Sequence, residues 1–161
     1  MIQRIQSIFL FLASLLVLIS ILVPMHYLNI DIQMEDGETA ISAIGLTQQT
    51  AVIGNQIDIT VDYYKVGALS IIGLIAFITI FLFKNRGFQM RLIRLNIAAT
   101  LLFIIGMAYF FYSYFLIVNA THYSIEPAGC IVIAAILLFN ILALRFIRKD
   151  DNLVKSVDRF R

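Results

Sequence analysis

Charge is scarce in this sequence: 14% of its 161 residues are Asp, Glu, Lys or Arg, against 61% apolar. A soluble domain carries roughly a quarter charged and about half apolar residues, so too little polar surface is left to face water. One membrane domain covering residues 1–161 is the expected organisation. The lone cysteine, Cys130, excludes an intramolecular disulfide framework, and zinc ligation lacks the His, Asp or Glu clusters it needs. Cys130 is read as a small helix-packing residue. Ionisable groups are also missing from the middle of every long apolar run, which removes the usual parts of proton relays, ion-coupled transport and activated-serine hydrolysis. The expectation is a non-enzymatic protein with no cofactor, no metal and no nucleic-acid partner.

What is present is four long apolar runs, at about 5–24, 66–83, 97–118 and 127–146. About twenty apolar residues cross a bilayer's hydrocarbon core as a helix. Pro24 ends the first run, and Pro127 suits the first turn of the fourth, where its missing N–H is no loss. Threaded back and forth, these spans put eleven of the twelve basic residues on one side. They are Arg4; Lys84, Arg86, Arg91 and Arg94; and Arg145, Arg148, Lys149, Lys155, Arg159 and Arg161. The other side has Lys65 against Asp31, Glu35, Asp36, Glu38, Asp58, Asp62 and Glu126. Cytoplasmic loops carry such a basic excess, so both termini are expected in the cytoplasm. Val23, Pro24, Met25 and His26 make a poor cleavage site, and Met1 is expected to stay in the mature chain.

Residues 25–65, on the acidic side, are too many for a simple connector. Apolar and polar residues alternate through Tyr27 to Met34 and again through Gln56 to Val61, the mark of half-buried strands. Gly37, Gly45 and the Gly54-Asn55 pair supply turns between them. The fold class expected is therefore membrane all-α: a four-transmembrane-helix bundle with a small antiparallel β-sheet in the first extracytoplasmic loop, the apolar face of that sheet turned toward the helices. The acids of this loop lack the order of a calcium loop and read as a solvated face. Asn119-Ala120-Thr121 is a weak match to a glycosylation triplet.

After the fourth span, residues 147–161 place Leu153, Val154, Val157 and Phe160 at helical spacing among basic residues, with Asp151 four before Lys155. A short amphipathic helix follows from this, its basic side meeting anionic headgroups or a partner protein. Arg4, Arg148, Lys149, Lys155, Arg159 and Arg161 are the candidate contacts. Inside the spans, small residues mark where helix backbones approach closely. Ser70, Gly73, Gly106, Cys130 and Ala134 are the packing candidates, and Asn140 is expected to make an interhelical hydrogen bond. The Gly-x-x-x-Gly pattern is absent. Tyr109 to Phe115 form an aromatic run which, with His26, Tyr27, Tyr63, Tyr64 and Tyr123, would build an interfacial belt. Tyr109, Tyr112 and Tyr114 are the candidate contacts for an apolar ligand.

The opening Met-Ile-Gln-Arg-Ile-Gln-Ser and the ending from Ile147 to Arg161 resemble an uncharacterised four-span membrane family of the Bacteroidetes, catalogued as a domain of unknown function. The resemblance covers the whole chain. It implies a bacterial inner-membrane protein with a folded outer loop, and it carries no catalytic residue across. A shared role would then reside in Gln3, Arg4 and Gln6 at the membrane surface and in the basic tail. The expected function is an accessory or structural subunit of a larger membrane assembly or homo-oligomer. The alternative is a binder or carrier of a lipid or other apolar ligand at the aromatic end of span three.

Overall fold

A computed structural model describes residues 3–23, 25–33, 39–53, 56–83, 85–118 and 122–158. Its four helices are α1 (Gln3–Leu22), α2 (Tyr63–Phe81), α3 (Arg86–Val118) and α4 (Pro127–Asp158), and its strands are β1 (His26–Gln33), β2 (Thr39–Gly45), β3 (Gln48–Ile53), β4 (Gln56–Val61) and β5 (His122–Ile125). All four helices are long and apolar enough to cross a membrane. In lipid a spanning segment must pair its own backbone groups, which leaves long apolar runs little choice but the helix.

Burial repeats along each helix at alternating steps of four and three. The inward residues are Gln6, Leu10, Ala13, Val17 and Ser20 in α1, and Lys65, Leu69, Ile72, Ala76 and Thr79 in α2. They are Gln89, Ile93, Asn96 and Thr100 in α3, and Ile133, Ile136, Asn140, Ala143 and Ile147 in α4. A period of 3.5 is the left-handed coiled-coil seam, the usual packing of membrane bundles. Amides and hydroxyls face inward while Phe11, Leu18, Ile71, Leu102 and Leu138 face out. Such a surface would be costly in water and is free in hydrocarbon.

The helices form a ring: α1 packs against α2 and α4, and α3 against the same two, with the α2–α3 seam the thinnest of the four. At the end away from the sheet, Leu10, Ile93, Ala143, Leu144 and Ile147 pack together. Phe9 stacks on Phe146 there, ring centroids 5.4 Å apart. At the sheet end a second cluster joins Val17, Leu69, Ile72, Ile133 and Ile136 to Tyr27, Ile44 and Leu46 of the sheet.

The last two helices extend beyond their apolar runs: α3 starts at Arg86, before the run at 97–118, and α4 continues from the run at 127–146 unbroken to Asp158, so that the tail helix is its end. At 33 and 32 residues these helices are about 50 Å long, well beyond the ~30 Å hydrocarbon core. No Gly or Pro follows Gly129 to interrupt α4.

The five strands form one antiparallel sheet in the order β4-β3-β2-β1-β5. Four come from the connection between α1 and α2, and the fifth comes from the connection between α3 and α4. The sheet stands on the bundle by one end. The Leu46-Thr47 turn between β2 and β3 is buried there, Leu46 N–H donating to the Met25 carbonyl and Asp62 N–H to the Thr47 carbonyl. A bulge between His26 and Leu28 in the β1–β2 register turns Tyr27 into the core. Gly129 lies where a Cβ would come within 2.6 Å of the His26 carbonyl, so only glycine lets α4 start this close to β1.

Of the residues expected on the inward apolar face, Ile59 and Val61 are exposed, and the side chains of Leu28, Ile30, Ile32 and Ile57 lie outside the described residues. Ile59 is 62% exposed on the edge strand β4, and Ile125 is equally open on the opposite edge. Tyr27 is buried rather than part of an interfacial belt, while Tyr63 and Tyr64 are exposed.

Candidate functional site

The thin α2–α3 seam opens into a groove of about 530 Å³ toward the sheet end of the bundle. Its floor is apolar, from Ala68, Ile72, Ala99 and Phe103, and its rim is formed by Tyr64, Tyr109 and Phe110. Ile71, Leu102 and Tyr109 line it and are more than half exposed, so it opens sideways on the face that lipid would cover. From Ala99 to Phe110 the groove follows α3 for about 16 Å, at 1.5 Å per residue.

One cation stands at the sheet end of this groove. Lys65, only 3% exposed, is the first inward residue of α2. Its ammonium is 2.6 Å from the Asp62 carboxylate and within 3.4 Å of the Gly45 carbonyl of the buried hairpin. The Phe110 and Tyr64 rings lie 5.3 and 5.9 Å from it, within cation–π range. Asp62 precedes α2 by one residue, so a three-residue step carries both ends of the ion pair to one side of the helix. Burying a charge is costly unless it is paired and hydrogen-bonded, and each of these contacts answers that demand.

Tyr27 lies close by. Its hydroxyl is buried with no hydrogen-bond partner among the described residues. Burial first, then the charges of Tyr64, Asp62 and Cys130, push its phenol from the ordinary 10 up to about 12.

The candidate residues fall as follows. Tyr109 lines the groove, Tyr112 is exposed outside it, and the Tyr114 side chain lies outside the described residues. Gly106 also lines it, but not as a packing residue: a Cβ there would meet nothing within 4 Å. Gly73 is at a true close approach, where a Cβ would lie 2.9 Å from Val17 Cγ1, and Ser70 shares with it a second groove between α1 and α2. Cys130 and Ala134 are exposed, contrary to the packing role expected of them. Each follows an inward residue, Gly129 or Ile133, and one residue further along a helix is about 100° around it.

Asn140 is buried and bridges two helices, accepting from Asn96 Nδ2 at 3.0 Å while donating to the Ile136 carbonyl. Asn96 and Gln89 are not singled out by sequence reasoning, because they precede the third apolar run at 97–118. Gln89 donates to the Thr79 carbonyl at the end of α2. Gln6, expected at the membrane surface, is buried in the bundle. The signal was present as the 4-3 spacing of Gln89, Ile93, Asn96 and Thr100.

At the end away from the sheet, Arg91, Arg94, Arg145, Arg148 and Lys149 are exposed. Arg86 pairs with Asp150 at 3.2 Å, tying the start of α3 to the extension of α4. Arg148 and Lys149 share one shallow face with Arg145, Asn152 and Ser156. The side chains of Arg4 and Lys155 lie outside the described residues, as do Arg159, Arg161, Glu35, Asp36, Glu38 and the Asn119-Ala120-Thr121 triplet. Among the described residues, no three His, Cys, Asp or Glu side chains are grouped to hold a metal.

One family model matches nearly the whole chain, residues 2–160. No curated protein matches it.

Proposed function

The chain belongs to the family described as Domain of unknown function (DUF4293), and we propose that it is a small non-enzymatic protein of the bacterial inner membrane that holds the apolar chain of a lipid-like ligand in its α2–α3 groove. The observation that carries this reading is the groove itself: apolar along its length, open to the side, and closed at one end by a buried cation. Pockets of roughly 300–1,000 Å³ with an apolar lining and a few placed polar groups are the general form of small-ligand sites. In this reading both termini are cytoplasmic, since exposed Arg91, Arg94, Arg145, Arg148 and Lys149 crowd the end opposite the sheet. The sheet then lies outside the cytoplasm. The Bacteroidetes origin suggested by the two ends of the chain belongs to the same proposal.

Native mass spectrometry of the protein extracted in mild detergent tests the reading. Wild type should retain lipid-sized adducts. Gly106→Phe, which fills the groove from a position with open space, should lose them. Equal retention by both proteins would remove the groove from consideration.

A second reading has its own support. α4 runs on to Asp158 with Arg148 and Lys149 exposed, a surface suited to a partner protein or to anionic headgroups. In that reading the chain is an accessory subunit of a larger assembly. Reversing Arg148 and Lys149 to Glu should then release partners recovered by mild pull-down, and recovery of a lone monomer from the wild type would count against it.

A further inference from the structure

We infer that the outward face of α4 holds an anionic phospholipid of the cytoplasmic leaflet, its phosphate against Arg145, Arg148 and Lys149 and an acyl chain along Leu138 and Ile141. This rests on the second reading above and names the occupant of that basic surface. It does not involve the α2–α3 groove.

One exposed stripe of α4 changes character along its length. Ala134, Leu138, Ile141, Arg145, Arg148 and Asn152 follow in alternating steps of four and three, and all are exposed. They lie on the side of the helix opposite the inward residues Asn140 and Ile147. The apolar run of this helix, 127–146, is about 30 Å long at 1.5 Å per residue, one hydrocarbon core. For a helix along the bilayer normal, Arg145 then sits at the edge of the core. Arg148 and Lys149 lie about 3 and 5 Å beyond it, within a headgroup layer roughly 5–8 Å deep.

Arg145, Arg148 and Lys149 line one shallow face with Asn152. Among the described residues none of the three is in an ion pair, and neighbouring Asp150 is taken by Arg86 of α3. A phosphodiester offers oxygens that accept from several such donors at once, from Arg bidentately. A phospholipid matches the stripe as a whole, because its chain lies against Leu138 and Ile141 where its phosphate reaches the cations. A soluble protein would meet only the basic half. Arg91 and Arg94 near the start of α3 make a poorer site, with two cations instead of three and Arg94 folded back, its Nε donating to the Met90 carbonyl at 3.2 Å.

The test titrates phosphatidylglycerol and phosphatidylcholine of identical chains into delipidated Gly106→Phe protein, whose groove is filled, and reads retention by native mass spectrometry. Phosphatidylglycerol should be favoured by about tenfold or more, each near-surface basic residue contributing about fivefold. Arg148→Gln/Lys149→Gln should cut this preference by about fivefold or more. Arg91→Gln/Arg94→Gln, an equal loss of charge at the same end of the bundle, should leave most of it. Glycerophosphoglycerol, the same head without chains, should not displace the lipid. Should Gly106→Phe fail to fold, the same comparison in wild type decides, since the groove is then common to both double variants. Equal losses in the two double variants, or no preference before substitution, would overturn the inference, and displacement by glycerophosphoglycerol would reassign the face to a soluble phosphate ester. Preference kept by the Arg148/Lys149 variant while it loses a partner in the pull-down would overturn the lipid and leave the subunit reading standing.

Discussion

Single side chains set the tightest constraints. A protein with Tyr27 buried and its phenol held near 12 binds one more proton than the unfolded chain between pH 10 and 12. The contribution is fully present below pH 10 and is lost as pH rises through 12. Tyr27→Phe should remove this alkaline loss in detergent-solubilised protein followed by thermal unfolding against pH. At neutral pH the change should stay within about 1 kcal/mol, since the deleted hydroxyl has no partner among the described residues. The two glycines among the packing candidates should separate sharply. Gly73→Leu drives a side chain into Val17 and should cost about 1–3 kcal/mol, whereas Gly106→Ala meets open space and should leave the melting temperature nearly unchanged.

At the scale of the element, the coiled-coil stripe explains why α3 and α4 hold together through amides. Truncating Asn140 to Ala strands the Asn96 amide in the bundle and should cost about 1 kcal/mol. Changing Asn96 and Asn140 together to Leu should recover part of that loss, and a double-mutant cycle on thermal stability measures the coupling. Additive single effects would show that the two amides act independently. The same stripe accounts for what the sequence did and did not disclose about elements. Apolar run length marked all four helices, because lipid demands a continuous apolar stretch. The third run leaves out the first turns of α3, where Arg86, Arg91 and Arg94 interrupt the hydropathy but lie on the same helix. The alternating stretch from Gln56 to Val61 coincides with β4, and that from Tyr27 to Met34 overlaps β1 as far as Gln33, Met34 lying outside the described residues. β5 had no comparable signal: four residues are too short to show a period.

For the whole molecule, the proposed orientation makes one prediction that does not depend on the groove. In a Cys130→Ala background, a cysteine at exposed Arg91 should be blocked only by a membrane-permeant thiol reagent in intact cells. One at exposed Thr60, on the sheet, should react with an impermeant reagent. Labelling of both from the same compartment would end the four-span threading with cytoplasmic termini. The arrangement of the ring also bears on function. α1 is gripped closely by α2 and by α4, so the slack in the bundle is concentrated at the α2–α3 seam, where the groove forms.

Composition and run length alone marked four helices long and apolar enough to cross a membrane, because a spanning segment must pair its own backbone groups. Basic residues in the sequence were enough to propose an orientation, since charge bias is a property of segments and not of contacts. Only the tertiary structure decided which residues face inward, because helix rotation about its axis depends on the neighbours each face meets. It turned Cys130, Ala134 and Gly106 outward, brought Asn96 to Asn140, and set Lys65 of α2 between Asp62, a carbonyl of the β2–β3 hairpin and a ring of α3. Asp62 is a local partner, three residues before Lys65, but the carbonyl and the ring come from separate elements of the chain, and no local pattern could have brought those two to it.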